Sequence, residues 1–224
     1  YVLTVGFLGT VLNQFLKLLC RIPRPWVLDP DFTIVESARA EATGYSFPSG
    51  HTQNAVGTFG GIARATKRHC LRWVCVVIFV LVSFSRMYLG VHTPLDVGVS
   101  FVIAAVLVFA IYPLMRRADR YPRLMAGLLA SMVLLSAAYL TFTLVYPFPP
   151  DIDSANLASG VENGWKLLGA TLGIALAWWL DRQYVRFETK AVWWVQVIKV
   201  AVGMALLLAI KSGLKAPLLA LLGH

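Results

Sequence analysis

Three short segments in the first half of the chain carry side chains that could together bind and attack a phosphate group. Lysine and arginine neutralise phosphate, and an imidazole can act as a nucleophile or as a general acid and base. The residues are Lys17 and Arg24 in the first segment, Ser49, Gly50 and His51 in the second, and Arg86, His92 and Asp96 in the third. These residue types indicate phosphate chemistry, provided that the fold brings the segments together.

The second segment, Tyr45-Ser46-Phe47-Pro48-Ser49-Gly50-His51, is typical of a turn that leads into an apolar helix. Ser49 is placed to cap that helix, and Gly50 allows close approach to the backbone. Because a helix N-terminus presents free N–H groups, it can bind an anion. We therefore expect Ser49 and Gly50 to contribute to a phosphate site, next to His51.

In the third segment, His92 precedes Thr93-Pro94-Leu95-Asp96, which is the pattern of an N-cap, a proline at the first helical position and an acid at the third. This pattern predicts a capping box. Asp96 could do no more than cap the helix, but it could also hold the ring of His92 in one tautomer. A lone histidine at a membrane border is usually structural. Its spacing from Arg86 and Asp96 favours His92 as a nucleophile.

Cations at the ends of apolar segments are often only membrane anchors whose charged ends extend to the interface. That interpretation suits Arg21 and Arg39. It suits Arg86 poorly, because Arg86 is expected on the non-cytoplasmic side, where the positive-inside rule disfavours basic residues. We therefore predict that Lys17, Arg24 and Arg86 bind phosphate and stabilise charge in the transition state.

Composition excludes a soluble protein: 58% of the 224 residues are hydrophobic and 14% are charged. A soluble domain of this size needs more polar surface. The net charge of +9 could suggest nucleic acid, but the basic residues fall in short clusters between apolar runs, so no nucleic acid partner is expected. The three cysteines lack metal-ligand spacing, and no metal or cofactor is predicted.

Seven apolar helices are predicted, which makes the fold all-α, a polytopic transmembrane bundle. They cover about residues 2–19, 49–64, 71–89, 93–115, 124–145, 164–180 and 191–210, with a polar loop over 22–48. Tyr1 stands at the edge of an apolar run without a charged flank, so we expect the sequence to begin partway through the native protein. Lys199 falls within the seventh run, where we favour a structural pairing over a catalytic role.

The basic clusters predict the orientation of the bundle. With alternating helices, residues 64–72, 116–123 and 181–190 share one side and hold four, four and three Lys or Arg residues. By the positive-inside rule that side is cytoplasmic. The three segments that carry the candidate site would then lie on the non-cytoplasmic face.

The motifs Lys-x6-Arg-Pro, Pro-Ser-Gly-His and Ser-Arg-x5-His-x3-Asp, in this order, resemble the three signatures of the type 2 phosphatidic acid phosphatase (PAP2) superfamily. The resemblance implies a catalytic core over residues 1–115, with 116–224 forming additional C-terminal transmembrane helices. It also implies a metal-independent phosphatase in which His92 forms a phosphohistidine, His51 protonates the leaving group and then activates water, and Asp96 orients His92. Lys17, Arg24, Ser49, Gly50 and Arg86 would bind the phosphate.

The resemblance implies a lipid phosphomonoester or diphosphate as substrate, with the bilayer as the setting and no obligate protein partner. Alternatives are a phosphotransferase that uses a lipid diphosphate donor and a sugar-phosphatase of the same superfamily. A haloperoxidase is disfavoured because it has no need for seven apolar helices. A transporter or a catalytically silent lipid-binding protein would use similar helices, but the intact His51, His92 and Asp96 argue against a silent member.

Overall fold

The computed structural model describes residues 1–40, 42–188 and 190–222, and every regular element within them is a helix. This confirms the predicted all-α fold. The helices are α1 (Val2–Cys20), α2 (Pro25–Leu28), α3 (Glu36–Arg39), α4 (Gly50–Ala55), α5 (Gly61–Ala65), α6 (His69–Tyr88), α7 (Pro94–Ala118), α8 (Pro122–Val145), α9 (Ser154–Leu180) and α10 (Trp193–Leu222). The chain divides into two compact units, Tyr1–Ala177 and Trp178–His224.

The centre of the first unit is the helix that follows the second motif. It runs through α4, a π-helical turn at Val56–Gly60, and α5, and it packs against α1, α6 and α7. The three pieces have only 6, 5 and 5 residues. Thr52 and Gln53 are buried in it, so these two polar side chains face protein.

Five helical segments in the described part of the chain are long and apolar enough to cross a membrane, judged by length and composition. They are Val2–Leu28, His69–Tyr88, Pro94–Ala118, Pro122–Val145 and Trp193–Leu214. Two of the seven predicted helices, α4–α5 and α9, do not meet this measure. The first is short and surrounded by other helices, and the second carries the ion pair Glu162–Lys166, with N–O separation 2.7 Å. A helix that faces protein need not be apolar on every side.

Helix α9 begins at Ser154, not near residue 164 as predicted. Asp153 Oδ1 accepts a hydrogen bond of 2.8 Å from the N–H of Asn156, which stabilises the polar first turn. The prediction was wrong because it followed apolarity alone. Tyr139 of α8 donates to the carbonyl of Gly160, and a Cβ at Gly160 would lie 2.8 Å from the side chain of Leu18. Glycine therefore permits α9 to approach α1 and α8.

In the second unit, α10 continues to Leu222, beyond the predicted end near residue 210. The hydroxyl of Ser212 donates to the carbonyl of Leu208 at 2.9 Å, so this polar residue is accommodated within the helix. The ammonium of Lys199 donates to the carbonyl of Glu188 at 2.7 Å and lies 4.6 Å from the ring centre of Phe187. These contacts give Lys199 a structural pairing.

The polar segment 22–48 contains the two short helices α2 and α3 and otherwise follows an irregular path, in agreement with the predicted loop. It is joined to the end of α6 where the N–H of Val35 donates to the carbonyl of Leu89 at 3.2 Å. Gly90 adopts φ 72°, and a Cβ there would lie 2.6 Å from the carbonyl oxygen of Thr33. Glycine is required at this turn, which leads directly to His92.

Candidate active site

The three motif segments meet at one end of the bundle, around a cavity of about 450 Å³. Six of the predicted site residues line it, namely Lys17, Arg24, Gly50, His51, Arg86 and His92. Asn13, Gln14 and Asn54 add polar groups to the wall. Residues separated by more than seventy positions along the chain therefore share one pocket, with basic side chains and both motif histidines around it.

His92 lies between a carboxylate and a guanidinium. Its Nδ1 atom is 3.4 Å from Asp96 Oδ2, and its Nε2 atom is 3.1 Å from Arg24 Nη1. A guanidinium only donates, so Nε2 must be the accepting nitrogen and Nδ1 must carry the proton. Nδ1–H then faces Asp96, which accepts. The lone pair of His92 is on Nε2, where it accepts from Arg24.

Burial, together with the nearby charges of Arg24 and Lys17, lowers the pKa of His92 to about 4, against the opposing effect of its hydrogen bond with Asp96. The ring is therefore neutral near pH 7, and its contact with Asp96 is a hydrogen bond from a neutral donor. A neutral imidazole has one unprotonated nitrogen, here Nε2, so a ring in this state can act as a nucleophile without a separate base.

Asp96 makes both of the contacts that the sequence indicated, one with the helix terminus and one with His92. Its carboxylate accepts from the N–H of Thr93 at 2.8 Å, while its own N–H donates to Thr93 Oγ1 at 3.3 Å. The predicted capping box is therefore confirmed, with Pro94 at the start of α7. The same carboxylate contacts His92. Capping fixes the carboxylate at the helix terminus, where it can also orient the ring.

Arg24 is 8% exposed, and its guanidinium binds main-chain carbonyls as well as His92. Nε donates to Gly44 at 2.9 Å, Nη1 to Val91 at 2.9 Å and Nη2 to Thr43 at 2.7 Å. Arg24 therefore holds the 43–44 segment against the turn before His92. These bonds occupy most of its five N–H groups.

The remaining predicted residues differ in how they meet the cavity. Lys17 lines it and donates to the carbonyl of Tyr45, and Arg86 lines it while its Nε donates to Ser85 Oγ at 3.3 Å. Ser49 caps α4 as predicted, accepting from the N–H of Thr52 at 3.4 Å, but it is fully buried and does not line the cavity. Gly50 presents the start of α4 to the cavity.

Sequence reasoning did not identify Ser46 or Asn13. Ser46 Oγ donates to Asp96 Oδ2 at 2.6 Å and lies 3.4 Å from His92 Nδ1. Asn13 is 3% exposed and donates to the carbonyl of Pro48 at 3.2 Å. An amide within an apolar run, four residues before Lys17, was a usable signal for Asn13. Nothing in the spacing of Ser46 distinguished it from an ordinary loop serine.

No group of three His, Cys, Asp or Glu residues in the described ranges is arranged to hold a metal ion. The three cysteines in those ranges are free thiols; Cys20 and Cys70 are exposed and Cys75 is buried.

Comparisons with known proteins indicate the same superfamily as the three motifs do. Residues 1–120 match the PAP2 superfamily, and residues 165–223 match the transmembrane extension of PAP2 superfamily phosphatases. Undecaprenyl-diphosphatase BcrC of Bacillus subtilis is 35% identical over 107 residues, which are 48% of this chain and 52% of the relative. Phosphatidylglycerophosphatase B of the same organism is 32% identical over 106 residues, covering 42% of this chain and 50% of the relative.

An undecaprenyl-diphosphatase of Sulfolobus acidocaldarius is 33% identical over 98 residues, covering 42% of this chain and 45% of the relative. The chain thus spans about half the length of the curated relatives it matches. No solved structure gives a significant match. The match to the superfamily covers more than half of the chain and includes all three motifs, so the chain belongs to the PAP2 superfamily.

Proposed function

We propose that this chain is an integral membrane phosphatase that hydrolyses a lipid phosphomonoester or diphosphate through a phosphohistidine intermediate. The observation that carries the proposal is the placement of His92. Its ring lies between Asp96 and Arg24, on the wall of a cavity that Lys17, His51 and Arg86 also line. Membership of the superfamily and the names of the relatives support the same reaction class.

In the first step, His92 Nε2 attacks phosphorus and the bond from phosphorus to the leaving oxygen breaks. His51 gives its proton to that oxygen, while Asp96 keeps the Nδ1 proton of His92 in place. Lys17, Arg86 and the N–H groups at the start of α4 stabilise the charge on the phosphoryl oxygens. The Arg24 N–H that bonds Nε2 shifts its hydrogen bond to a phosphoryl oxygen as Nε2 attacks, and one further N–H of Arg24 is left for the same group.

In the second step, His51 takes a proton from water as the water oxygen attacks phosphorus. The phosphorus–nitrogen bond breaks, and the electron pair returns to Nε2 of His92. Inorganic phosphate leaves, with both histidines back in their starting protonation states. Splitting the reaction in this way replaces one difficult displacement by two easier ones.

The cavity of about 450 Å³ accommodates a phosphate or diphosphate head group, and the tail would lie along the apolar outer surfaces of the bundle. Large apolar side chains are exposed along α6 and α7, for example Leu81, Phe84 and Phe101. The relatives act on undecaprenyl diphosphate and phosphatidylglycerophosphate, and we infer that the substrate here belongs to one of these two classes.

We propose that residues 1–115 form the catalytic core and that 116–224 form additional membrane helices. The residues placed around the reacting phosphate all lie between Asn13 and Asp96, which supports this division.

Detergent-purified protein should release inorganic phosphate preferentially from a lipid diphosphate or from phosphatidylglycerophosphate, with phosphatidic acid as the comparison substrate. Vanadate, which mimics five-coordinate phosphorus, should inhibit, and a metal chelator should leave the rate unchanged. The measurement is phosphate release across the panel with His92→Ala as the blank. Transfer of the phosphoryl group to another acceptor without phosphate release would instead identify a phosphotransferase, and loss of activity with chelator would contradict the mechanism.

We further propose that the site faces the non-cytoplasmic side. Arg64, Arg72, Arg116 and Arg117 lie where α5 ends, α6 begins and α7 ends, whereas the candidate site lies where α4 and α7 begin. The basic cluster therefore marks the opposite end of the bundle from the cavity, and basic loops are retained in the cytoplasm.

Two exposed aspartates at opposite ends of α8 allow this orientation to be tested. On a background with Cys20, Cys70 and Cys75 replaced by alanine, a membrane-impermeant thiol reagent applied to intact cells should label Asp151→Cys but not Asp119→Cys. In permeabilised cells, the reagent should label both introduced cysteines. Gln183→Cys, in the π-helical turn Asp181–Val185 that follows α9, should behave like Asp119→Cys. Labelling of Asp119→Cys alone in intact cells would invert the orientation.

A further inference from the structure

Ser46 is a buried hydroxyl at the point where the three motif segments meet. It is 1% exposed, and its Oγ donates to Asp96 Oδ2 at 2.6 Å. Its own N–H donates to the carbonyl of Ile22 at 2.9 Å, so the backbone position of the serine is fixed from the first segment. One residue thus connects the loop before Arg24, the loop before His51 and the carboxylate of Asp96.

The hydrogen-bond directions around Ser46 favour one state of the His92 ring. A hydroxyl has a single proton, and here it points at Asp96, so the lone pairs of Ser46 Oγ are left for other donors. His92 Nδ1 is 3.4 Å from this oxygen and 3.4 Å from Asp96 Oδ2. A proton on Nδ1 therefore meets two acceptors. A lone pair on Nδ1 would instead face two oxygen atoms and be repelled.

Ser46 also restrains the carboxylate itself. Asp96 Oδ2 accepts from Ser46 Oγ and from the N–H of Thr93. With two short donors on the same oxygen, the carboxylate cannot rotate away from His92 without breaking a bond inside a buried site. Each distance to His92 Nδ1 is at the long end for a hydrogen bond, so the orientation of the ring depends on both oxygens rather than on one.

We propose that Ser46 is a positioning residue for His92, acting through Asp96 to hold the ring with its proton on Nδ1 and its lone pair on Nε2. This inference rests on the proposed function, in which Nε2 is the nucleophile. It adds that Ser46 couples the segment bearing the proposed acid, His51, to the segment bearing the nucleophile, so that the two histidines keep a fixed separation.

The first test is Ser46→Ala, compared with Ser100→Ala. Ser100 is an equally buried serine that donates at 2.7 Å to Asp96, but to its main-chain carbonyl and not to its carboxylate. Loss of a hydrogen bond to a charged group predicts that Ser46→Ala lowers kcat by roughly 10- to 100-fold with little change in KM. Ser100→Ala should stay within about 3-fold of the parent, as expected for loss of a neutral bond outside the site. Equal losses in both variants would overturn the proposal.

A double-mutant cycle of Ser46 and Asp96 separates an effect on the position of His92 from a general loss of protein stability. If Ser46 acts through the carboxylate, Ser46→Ala should cost far less kcat in an Asp96→Asn background than in the parent protein. Fully additive losses would show that Ser46 does not work through Asp96. Ser46→Cys keeps a side chain of similar size with a weak donor, so its kcat should lie between the kcat of the parent and that of Ser46→Ala. If Ser46→Ala does not fold, Ser46→Cys takes its place in the cycle.

The tautomer of His92 can be measured without turnover, by nitrogen NMR on protein labelled with ¹⁵N-histidine. The chain has four histidines, and His92→Gln assigns the relevant signals by their disappearance. The parent should show a protonated Nδ1 and an unprotonated Nε2. Because Arg24 still donates to Nε2 in Ser46→Ala, that variant should keep the tautomer but weaken the hydrogen bond of Nδ1–H, seen as an upfield shift of the Nδ1 proton. An unchanged Nδ1–H signal would refute the role of Ser46, even where kcat falls. If the parent hydrolyses no lipid phosphate, the proposed function fails, while this spectrum still decides the proposal for Ser46.

Discussion

Replacing His92 by alanine is expected to abolish turnover, with a loss of about 10⁴-fold or more, as for removal of a covalent nucleophile. His51 cannot substitute, because the contacts that orient a ring with Nδ1–H on a carboxylate and Nε2 beside Arg24 belong to His92. The measurement is steady-state phosphate release together with retention of ³²P on the protein. The parent should retain an acid-labile, base-stable label, and His92→Ala should retain none.

Two further variants make this result specific. His92 is 4% exposed, so alanine could also weaken folding; His92→Gln keeps one group that can donate to Asp96 and one that can accept from Arg24. It should fold like the parent and be equally inactive. His69→Ala removes an exposed histidine at the start of α6 and should change neither turnover nor labelling. Normal turnover in His92→Gln, or label retained in His92→Ala, would contradict the phosphohistidine mechanism.

The sequence was informative about the site where local patterns determine local structure. Caps at Ser49 and Thr93 follow from short-range residue preferences, and both are present. The convergence of the three motifs followed from their positions at helix ends and from the resemblance to a known family. The caps depend on a few neighbouring residues, and the convergence could be predicted from the motifs themselves.

Arg24 illustrates what the sequence could not reveal. Residue type predicted a phosphate ligand, but its guanidinium also binds the carbonyls of Thr43, Gly44 and Val91. Carbonyl groups are present in every residue, so no sequence pattern shows which of them will face a given side chain. The same reasoning applies to Ser46, whose role depends on the path of the loop.

The helix boundaries show a related difference. Apolar runs correctly located the helices that face lipid, because lipid requires apolar side chains on most of the surface. They also located α4–α5, which is enclosed by other helices, but they missed the first turns of α9, which carry polar residues. Hydropathy measures contact with lipid more directly than it measures helix formation.

The variant His51→Ala tests the other half of the mechanism, and its effect should depend on the leaving group. His51 is an exposed residue of the first turn of α4 and lines the cavity, so its replacement should leave the fold intact. With an alkyl phosphate ester, loss of the general acid should lower kcat by about 10²- to 10⁴-fold. With an aryl phosphate or a lipid diphosphate, whose leaving groups need no proton, formation of the intermediate should be much less affected.

Hydrolysis of the intermediate still needs a base for water, so these activated substrates should make phosphorylated His51→Ala accumulate. The expected signature is a rapid burst of product equal to the enzyme concentration, followed by slow turnover, with ³²P retained on the protein well above the parent level. His69→Ala is again the matched control and should show the parent's time course. Equal slowing of ester and aryl substrates without accumulation would mean that His51 binds substrate instead of moving protons. In that outcome, the proton transfers would have to be assigned to another group that lines the cavity.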